Sequence, residues 1–386
     1  MRSPRRHLAA LMAGAVSLAL VATACTSATG QPPSSTGNPG AGTLAPAVAA
    51  VDPPVTTTPS SPAQIYPVGH DVSDPFLTTW NGRYYLIASE GGPGTIMNVP
   101  MLSGTAVGGW GPIFDAMPSL PAWSAPGFTW APDLHHFGST FVLYFTALVK
   151  STSPAMECIG SASGSSPQGP FTPAARPFIC QVSQGGSIDP RVFTDSDGTN
   201  WLLWKSDQNI AGATAPTKIW SAPLTADGLA FTAPPTAILQ PSQAWQGTIV
   251  ESPDLVKVQG TYWLFYSGNW FNTPSYATGA ARCAGPTGPC SEISSTPLVA
   301  SNAQGAGPGE ESVYASPAGV WLLYTPWHSD SPKYDASPRP VAMVRLGFGT
   351  TGPYLATWAD PPAPPAVVVP PAPTKPSSVR IAPPTS

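Results

Sequence analysis

Five times along the chain a glycine opens an aromatic and aliphatic run. These are NGRYYLIAS from Asn81, FGSTFVLYFTA from Phe137, DGTNWLLWKS from Asp197, QGTYWLFYSGN from Gln259 and AGVWLLYTPW from Ala318. The glycines Gly82, Gly138, Gly198, Gly260 and Gly319 stand 56, 60, 62 and 59 residues apart. Apolar runs of this length, bounded by Gly, Pro, Asp and Asn, read as β-strands joined by turns. The spacing leaves room for two further strands in each unit. No stretch between residues 66 and 357 sustains a helical period. Five such units predict an all-β chain folded as a five-bladed β-propeller, whose radial stacking leaves only short, protected edges.

The two ends lie outside this repeat. Residues 1–25, MRSPRRHLAALMAGAVSLALVATAC, combine a basic head, an apolar run and small residues before Cys25. That is the pattern of an export signal, too short to be a stable membrane span. Residues 26–65 carry Asp52 as their one charge among Ser, Thr, Pro, Gly and Ala, and read as a disordered linker. Residues 358–386, containing PPAPPAVVVPPAP, read as a second extended tail. The propeller is therefore expected over residues 66–357. With Cys25 set aside, Cys158, Cys180, Cys283 and Cys290 allow three disulfide pairings in an exported chain. Sequence proximity favours Cys158–Cys180 and Cys283–Cys290. The alternative, a four-thiolate zinc site, has no CxxC spacing to support it.

The net charge is -4 and only 9% of residues are charged, which gives no reason to expect a nucleic-acid partner. Acids recur near the repeat: Asp74, Asp133, Asp189 and Glu251 precede the unit glycines, and the fifth unit has Glu310 and Glu311. Asp-Pro and Asp-Gly are ordinary turn signals, and Asp195, Asp197 and Asp254 are read that way. Acids in phase with the blades would instead converge on one pocket at the axis.

The constellation resembles glycoside hydrolase family 43, the inverting arabinanases, arabinofuranosidases and β-xylosidases built on a five-bladed propeller. SDPFLTTWNGRYYL resembles the motif carrying the general base, which implies that role for Asp74. SIDPRVFTDSDGTNWLLW places Asp189 on the aspartate that tunes the acid, and IVESPDLVKVQGTYWLFYSGN places Glu251 on the general acid. WAPDLHHFGSTFVLYF, with Trp130 and Asp133, is similar to the second-blade signature, whose aspartate is structural or near the pocket. ATAC resembles a bacterial lipobox, which implies lipidation of Cys25 and tethering to the outer face of the cell membrane. The fifth blade departs from the pattern: GPGEESVY has Glu310 where many members carry a histidine near a bound ion. No cofactor is expected to be required, and a structural calcium loses its usual ligand.

Inverting hydrolysis needs an acid to protonate the leaving oxygen and a base to activate water, roughly 6.5–9.5 Å apart. A carboxylate beside the acid disfavours its ionisation, which is the role left for Asp189. Asp74 is expected to stay ionised. Substrate contacts are expected from Trp130, Asp133, His135, Trp270 and His328, with Trp245, Phe271 and Trp327 as further sugar-stacking faces and His136 beside His135. The implied partner is an oligo- or polysaccharide containing arabinose or xylose, handled by a monomer that meets the membrane only through its lipid. A carbohydrate-binding propeller and a protein-interaction propeller are the competing classes, and neither needs three converging acids.

Overall fold

The computed structural model describes residues 63–66, 71–90, 97–150, 152–208, 215–302, 305–328 and 339–356. Cys25, its signal and the C-terminal tail from residue 357 lie outside them. The first strand, β1 (Gln64–Tyr66), is set apart from those that follow it. Four sheets of four antiparallel strands then run in chain order. Blade one holds β2 (Phe76–Trp80), β3 (Arg83–Ile87), β4 (Pro100–Gly104) and β5 (Phe114–Asp115). Blade two holds β6 (Ser124–Phe137), β7 (Thr140–Val149), β8 (Glu157–Gly164) and β9 (Thr172–Pro173). Blade three holds β10 (Ser187–Thr194), β11 (Asn200–Ser206), β12 (Ile219–Pro223) and β13 (Thr236–Leu239). Blade four holds β14 (Val250–Val258), β15 (Thr261–Gly268), β16 (Ala277–Cys283) and β17 (Cys290–Glu292).

Blade five is built from β18 (Ala306–Ser316), β19 (Gly319–Trp327) and β20 (Val341–Gly349). Its outer edge is shared: β1 pairs with Val341, Ala342 and Met343, and β21 (Gly352–Leu355) pairs with the far half of β20. Both ends of the folded chain thus complete one blade. Strand β1 begins at Gln64, so the expected linker boundary at residue 65 is corrected: its last residues are ordered by the ladder to β20. The inner strands β2, β6, β10, β14 and β18 each touch the next, and β18 touches β2, which closes the ring.

The apolar runs that announced the repeat are the second strands of the blades. Buried on both faces, they need no polar alternation. In β11, Leu202 and Trp204 pack toward blade two while Trp201 and Leu203 pack toward blade four. In β3, Tyr84 and Leu86 face blade five, and Tyr85 and Ile87 face blade two. Five apolar clusters result, one between each pair of neighbouring blades. Removing the fully buried Trp204 side chain would cost about 3–5 kcal/mol by the usual behaviour of core aromatics. Disulfides Cys158–Cys180 and Cys283–Cys290 join outer strands to adjacent loop or strand within blades two and four.

Candidate active site

One backbone device repeats at the same place in every blade. Asp74, Ala131, Asp189, Ser252 and Glu310 have φ of 49°, 45°, 56°, 49° and 56°. These are left-handed values that non-glycine residues seldom adopt. In blades two to five the residue sits where the register of inner and second strand slips, as in a β-bulge. In four blades a proline follows it: Pro75, Pro132, Pro190 and Pro253. A bulge tolerates proline because the ladder needs no N–H there. Asp189–Pro190 is therefore a bulge within its inner strand, and Asp74–Pro75 has the same left-handed aspartate just ahead of β2.

Each bulge N–H donates to a side chain of the preceding blade, around the whole ring. Asp74 donates to Glu310 Oε2 (3.2 Å), Ala131 to Ser89 Oγ (2.8 Å) and Asp189 to Thr146 Oγ1 (3.1 Å). Ser252 donates to Asp189 Oδ2 (3.0 Å) and Glu310 to Ser267 Oγ (2.9 Å). The bulges are thus fixed by neighbouring blades, and the acids they carry are presented at one level of the channel mouth. A side chain at Gly309, just before Glu310, would strike Tyr276, so this bulge requires the glycine of GPGEE.

Asp74, Asp189 and Glu251 are brought together as expected, and two cations join them. Ser89 Oγ donates to Asp74 Oδ2 at 2.5 Å. Burial pushes the Asp74 carboxyl well above its usual range, and the charges of Glu310 and Asp189 add to it; Ser89 and Arg339 pull the other way. Asp74 is only half-buried and keeps contact with solvent, which moderates the burial effect. The expectation that Asp74 rests fully ionised therefore meets an opposing field. Asp189 is buried and also pushed upward, chiefly by desolvation, against the pull of Lys205. Lys205 Nζ lies 2.8 Å from Glu251 Oε2 and 3.3 Å from Asp207 Oδ1. In the fifth blade Arg339 Nη1 donates to both Glu310 oxygens at 3.0 Å, its Nε lies 3.5 Å from Asp71, and it stacks 4.4 Å from the Trp327 ring.

These contacts answer the question of an ion in blade five. Glu310 already holds Arg339, the Thr325 hydroxyl (2.7 Å) and the Asp74 N–H. A guanidinium at that distance repels a second cation, and among the described residues no three His, Cys, Asp or Glu side chains gather to hold a metal. The residues do not fit a calcium ion there.

Several other expectations are corrected. Asp133 is fully buried two residues beyond the blade-two bulge; its Oδ2 accepts the Val192 N–H (3.2 Å) and faces Arg191. It ties blade two to blade three and is closed to substrate. Asp254 was expected in a turn, but it lies buried in β14 and accepts the Val313 N–H at 2.7 Å, the same device one pair of blades on. His135 packs on Phe137 and meets Thr194 Oγ1 at 3.1 Å, and burial lowers its pKa to about 4. It is a neutral packing histidine, as is His136 between Trp80 and Phe141. Trp245 stacks on Tyr266 inside blade four. Trp130 lies beside the Ala131 bulge in edge contact with Phe128, itself 38% exposed. Trp270 is 46% exposed past the end of β15, and His328 is exposed past the end of β19. Lys205, Arg339 and Phe128 were not anticipated; the lysine inside the apolar run WLLWKSD was the one available signal.

The family profile described as Glycosyl hydrolases family 43 matches residues 27–349. This chain belongs to glycosyl hydrolase family 43. It is 26% identical over 260 residues to the arabinoxylan arabinofuranohydrolase of Bacillus subtilis (strain 168), covering 57% of this chain and 48% of that one. A 75-residue stretch is 38% identical to xylosidase/arabinosidase 43A of Humicola insolens, covering 19% of this chain and 21% of that one. The chain thus spans about half the length of the first relative, and less of the second. Among solved structures, a thermostable family-43 glycoside hydrolase superposes with a TM-score of 0.65 at 25% identity, over 81% of this chain and 99% of that one. The α-L-arabinofuranosidase of Lactobacillus brevis shares the fold, with a TM-score of 0.63 at 18% identity over 75% and 94% of the two chains.

Proposed function

We propose that this family-43 chain is an inverting glycosidase that hydrolyses arabinofuranosidic linkages of arabinan or arabinoxylan, or xylosidic linkages. The observation that carries the reading is the meeting of Asp74, Asp189 and Glu251 from three blades at the bulge level. In this reading Glu251 gives its proton to the leaving glycosidic oxygen as the C–O bond breaks. Water bonds to the anomeric carbon from the opposite face and gives its proton to Asp74. Asp189 takes the Ser252 N–H next to Glu251 and so fixes the backbone that presents the acid. Trp130 with Phe128 and Trp270 supply apolar faces at the same mouth. Product release from a panel of arabinans, xylans and aryl furanosides tests the activity, and NMR of the first-formed anomer tests inversion.

One observation favours a second reading, a carbohydrate-binding propeller. Lys205 Nζ already holds Glu251 Oε2 at 2.8 Å, which takes one oxygen of the proposed acid away from a substrate. A wild-type protein that binds arabino- or xylo-oligosaccharides and releases no product would establish it.

We also infer export and lipid tethering through Cys25, supported by the basic head, apolar run and ATAC of residues 1–25. A monomer needs no partner subunit to complete this site. Mass spectrometry of the mature N-terminus, and loss of membrane partitioning in Cys25→Ala, are the checks.

A further inference from the structure

Among the described residues, the best-buried cation faces the proposed acid. Lys205 is 1% exposed at the end of β11, with its ammonium between Glu251 and Asp207. Burying an ammonium is costly unless charges surround it, so the site is built to hold it. The surrounding charges come from several elements. Glu251 is faced by Lys205, by Asp189 of β10 and by Tyr276 ahead of β16. Lys205 is faced by Glu251, Asp207 and Asp189. Glu157 of β8 joins through Asp207, Asp74 through Asp189, and Glu310 through Tyr276 and Asp74. Four carboxyls, Glu157, Asp189, Asp207 and Glu251, therefore share one lysine.

We propose that Lys205 is a positioning residue for the proton donor: it pins Glu251 Oε2 and leaves Oε1 to meet the leaving oxygen. The inference rests on the glycosidase reading and adds a residue to it. A carboxyl free to rotate presents either oxygen to substrate. One whose Oε2 accepts from a buried ammonium at 2.8 Å has its outward oxygen chosen. Asp207 acts as the counterweight: by drawing on the same ammonium it weakens the hold on Glu251.

The two partners of the clamp give opposite signs. Lys205→Met removes the cation and should move the basic limb of kcat/KM to higher pH by about one unit or more, the usual reach of an adjacent opposite charge. Asp207→Asn leaves Lys205 with Glu251 as its main partner and should move the same limb to lower pH. With the oxygen no longer pinned, Lys205→Met should lose about 10–100-fold on a natural linkage and less than tenfold on an activated aryl glycoside, within the range for acid assistance. Should Lys205→Met fail to fold, Lys205→Met/Asp207→Asn removes cation and carboxylate together and should still move the limb upward. Carboxyl ¹³C NMR of glutamate-labelled protein, with Glu251 assigned through Glu251→Gln, follows the same midpoint without turnover. Opposed movements in the two variants support the clamp; a limb and midpoint unmoved in both, or equal losses on both substrates, overturn it. If the wild type is inactive but the Glu251 midpoint still moves in opposite directions in the two variants, the result counts against the glycosidase reading and for the clamp.

Discussion

The channel carries two clusters of buried charge, and they are built from the same strands. At the bulge level stand Asp74, Asp189, Glu251 and Glu310 with Lys205 and Arg339. Two to three residues further along lies Arg191, 3.6 Å from both Asp133 and Asp254 and 4.8 Å over the Phe76 ring. A strand advances about 3.3 Å per residue, so the levels are separated by roughly two rises of the backbone. In the lower cluster the carboxylates are closed on protein: Val192 and Val313 donate into them, and one arginine lies between. The upper cluster has the same two-to-one excess of acids over cations, but there Asp74 and Glu251 keep an edge toward solvent. The residue types are nearly the same, so the difference is one of register: a carboxyl on the bulge points chemistry into the mouth, and one past it staples blades.

The comparison breaks most visibly on activity. Asp74→Ala should slow every substrate by about 10²–10⁴-fold, whatever its leaving group. Glu251→Ala should cost as much on natural linkages and far less on activated aryl furanosides, whose leaving oxygen hardly needs a proton. Asp74→Ala should melt near the wild-type temperature, whereas Glu251→Ala takes a partner from the buried Lys205 ammonium and should also lower Tm. Retained anomeric configuration in the wild-type product would remove Asp74 from the role of base.

Lower-level substitutions should show the reverse. Removing one partner of a buried ion pair costs about 3–5 kcal/mol, because the other charge is left uncompensated. Asp133→Ala or Asp254→Ala should therefore lower Tm on the order of 10 °C. Below the transition, KM and leaving-group dependence should match the wild type. A leaving-group effect in Asp133→Ala would return that residue to the site.

How far the sequence revealed these levels follows from what each depends on. Five blades were legible because RYYLI, WLLW and YWLFY are buried on both faces, and double burial leaves an unbroken apolar run. Asp74, Asp189 and Glu251 were legible through motif and phase. Asp133 was misplaced because phase was counted from the turn glycine, and Asp254 because it was read as a turn residue, while the role of both depends on a two-residue offset from a bulge. That offset appears only in the pairing, as slips between Trp130 and Asp133 and between Glu251 and Asp254. Arg339 reaches Glu310 across 29 residues without a periodic cue.

Acidity sharpens the comparison next. Burial raises the pKa of Asp133 to about 7 and of Asp254 to about 6, outweighing the Arg191 charge in both cases. Each native carboxyl thus binds its proton more tightly than the unfolded one. The associated stability is complete below about pH 4 and is lost as pH rises through 6 to 7. Tm should fall by several degrees from pH 4 to pH 8, and Asp133→Asn should flatten part of that slope. A wild-type Tm that rises over this interval would contradict the assignment.

The smallest effect concerns the aromatic faces, where both levels place an arginine on a ring. Arg191 covers Phe76 in the closed interior; Arg339 covers Trp327, whose Nε1 donates to the Phe271 carbonyl at 2.8 Å. That bond pins the segment after β15 to blade five, and the neighbouring Trp270 stands exposed. Trp270 also takes its own anchor from Asn269, whose Oδ1 accepts the Trp270 N–H at 2.9 Å. The ring is therefore presented by the backbone and carries little of the fold. Trp270→Ala should leave Tm within a degree or two. If its face is worth the ~0.5–1.5 kcal/mol of an aromatic contact, KM for oligosaccharides should rise about 2- to 10-fold with kcat little changed. Trp327→Ala should raise KM as well but also lower Tm, since it frees both Arg339 and the segment. Equal behaviour of the two variants would mean that Trp270 serves packing, like the ring of Phe76 at the lower level.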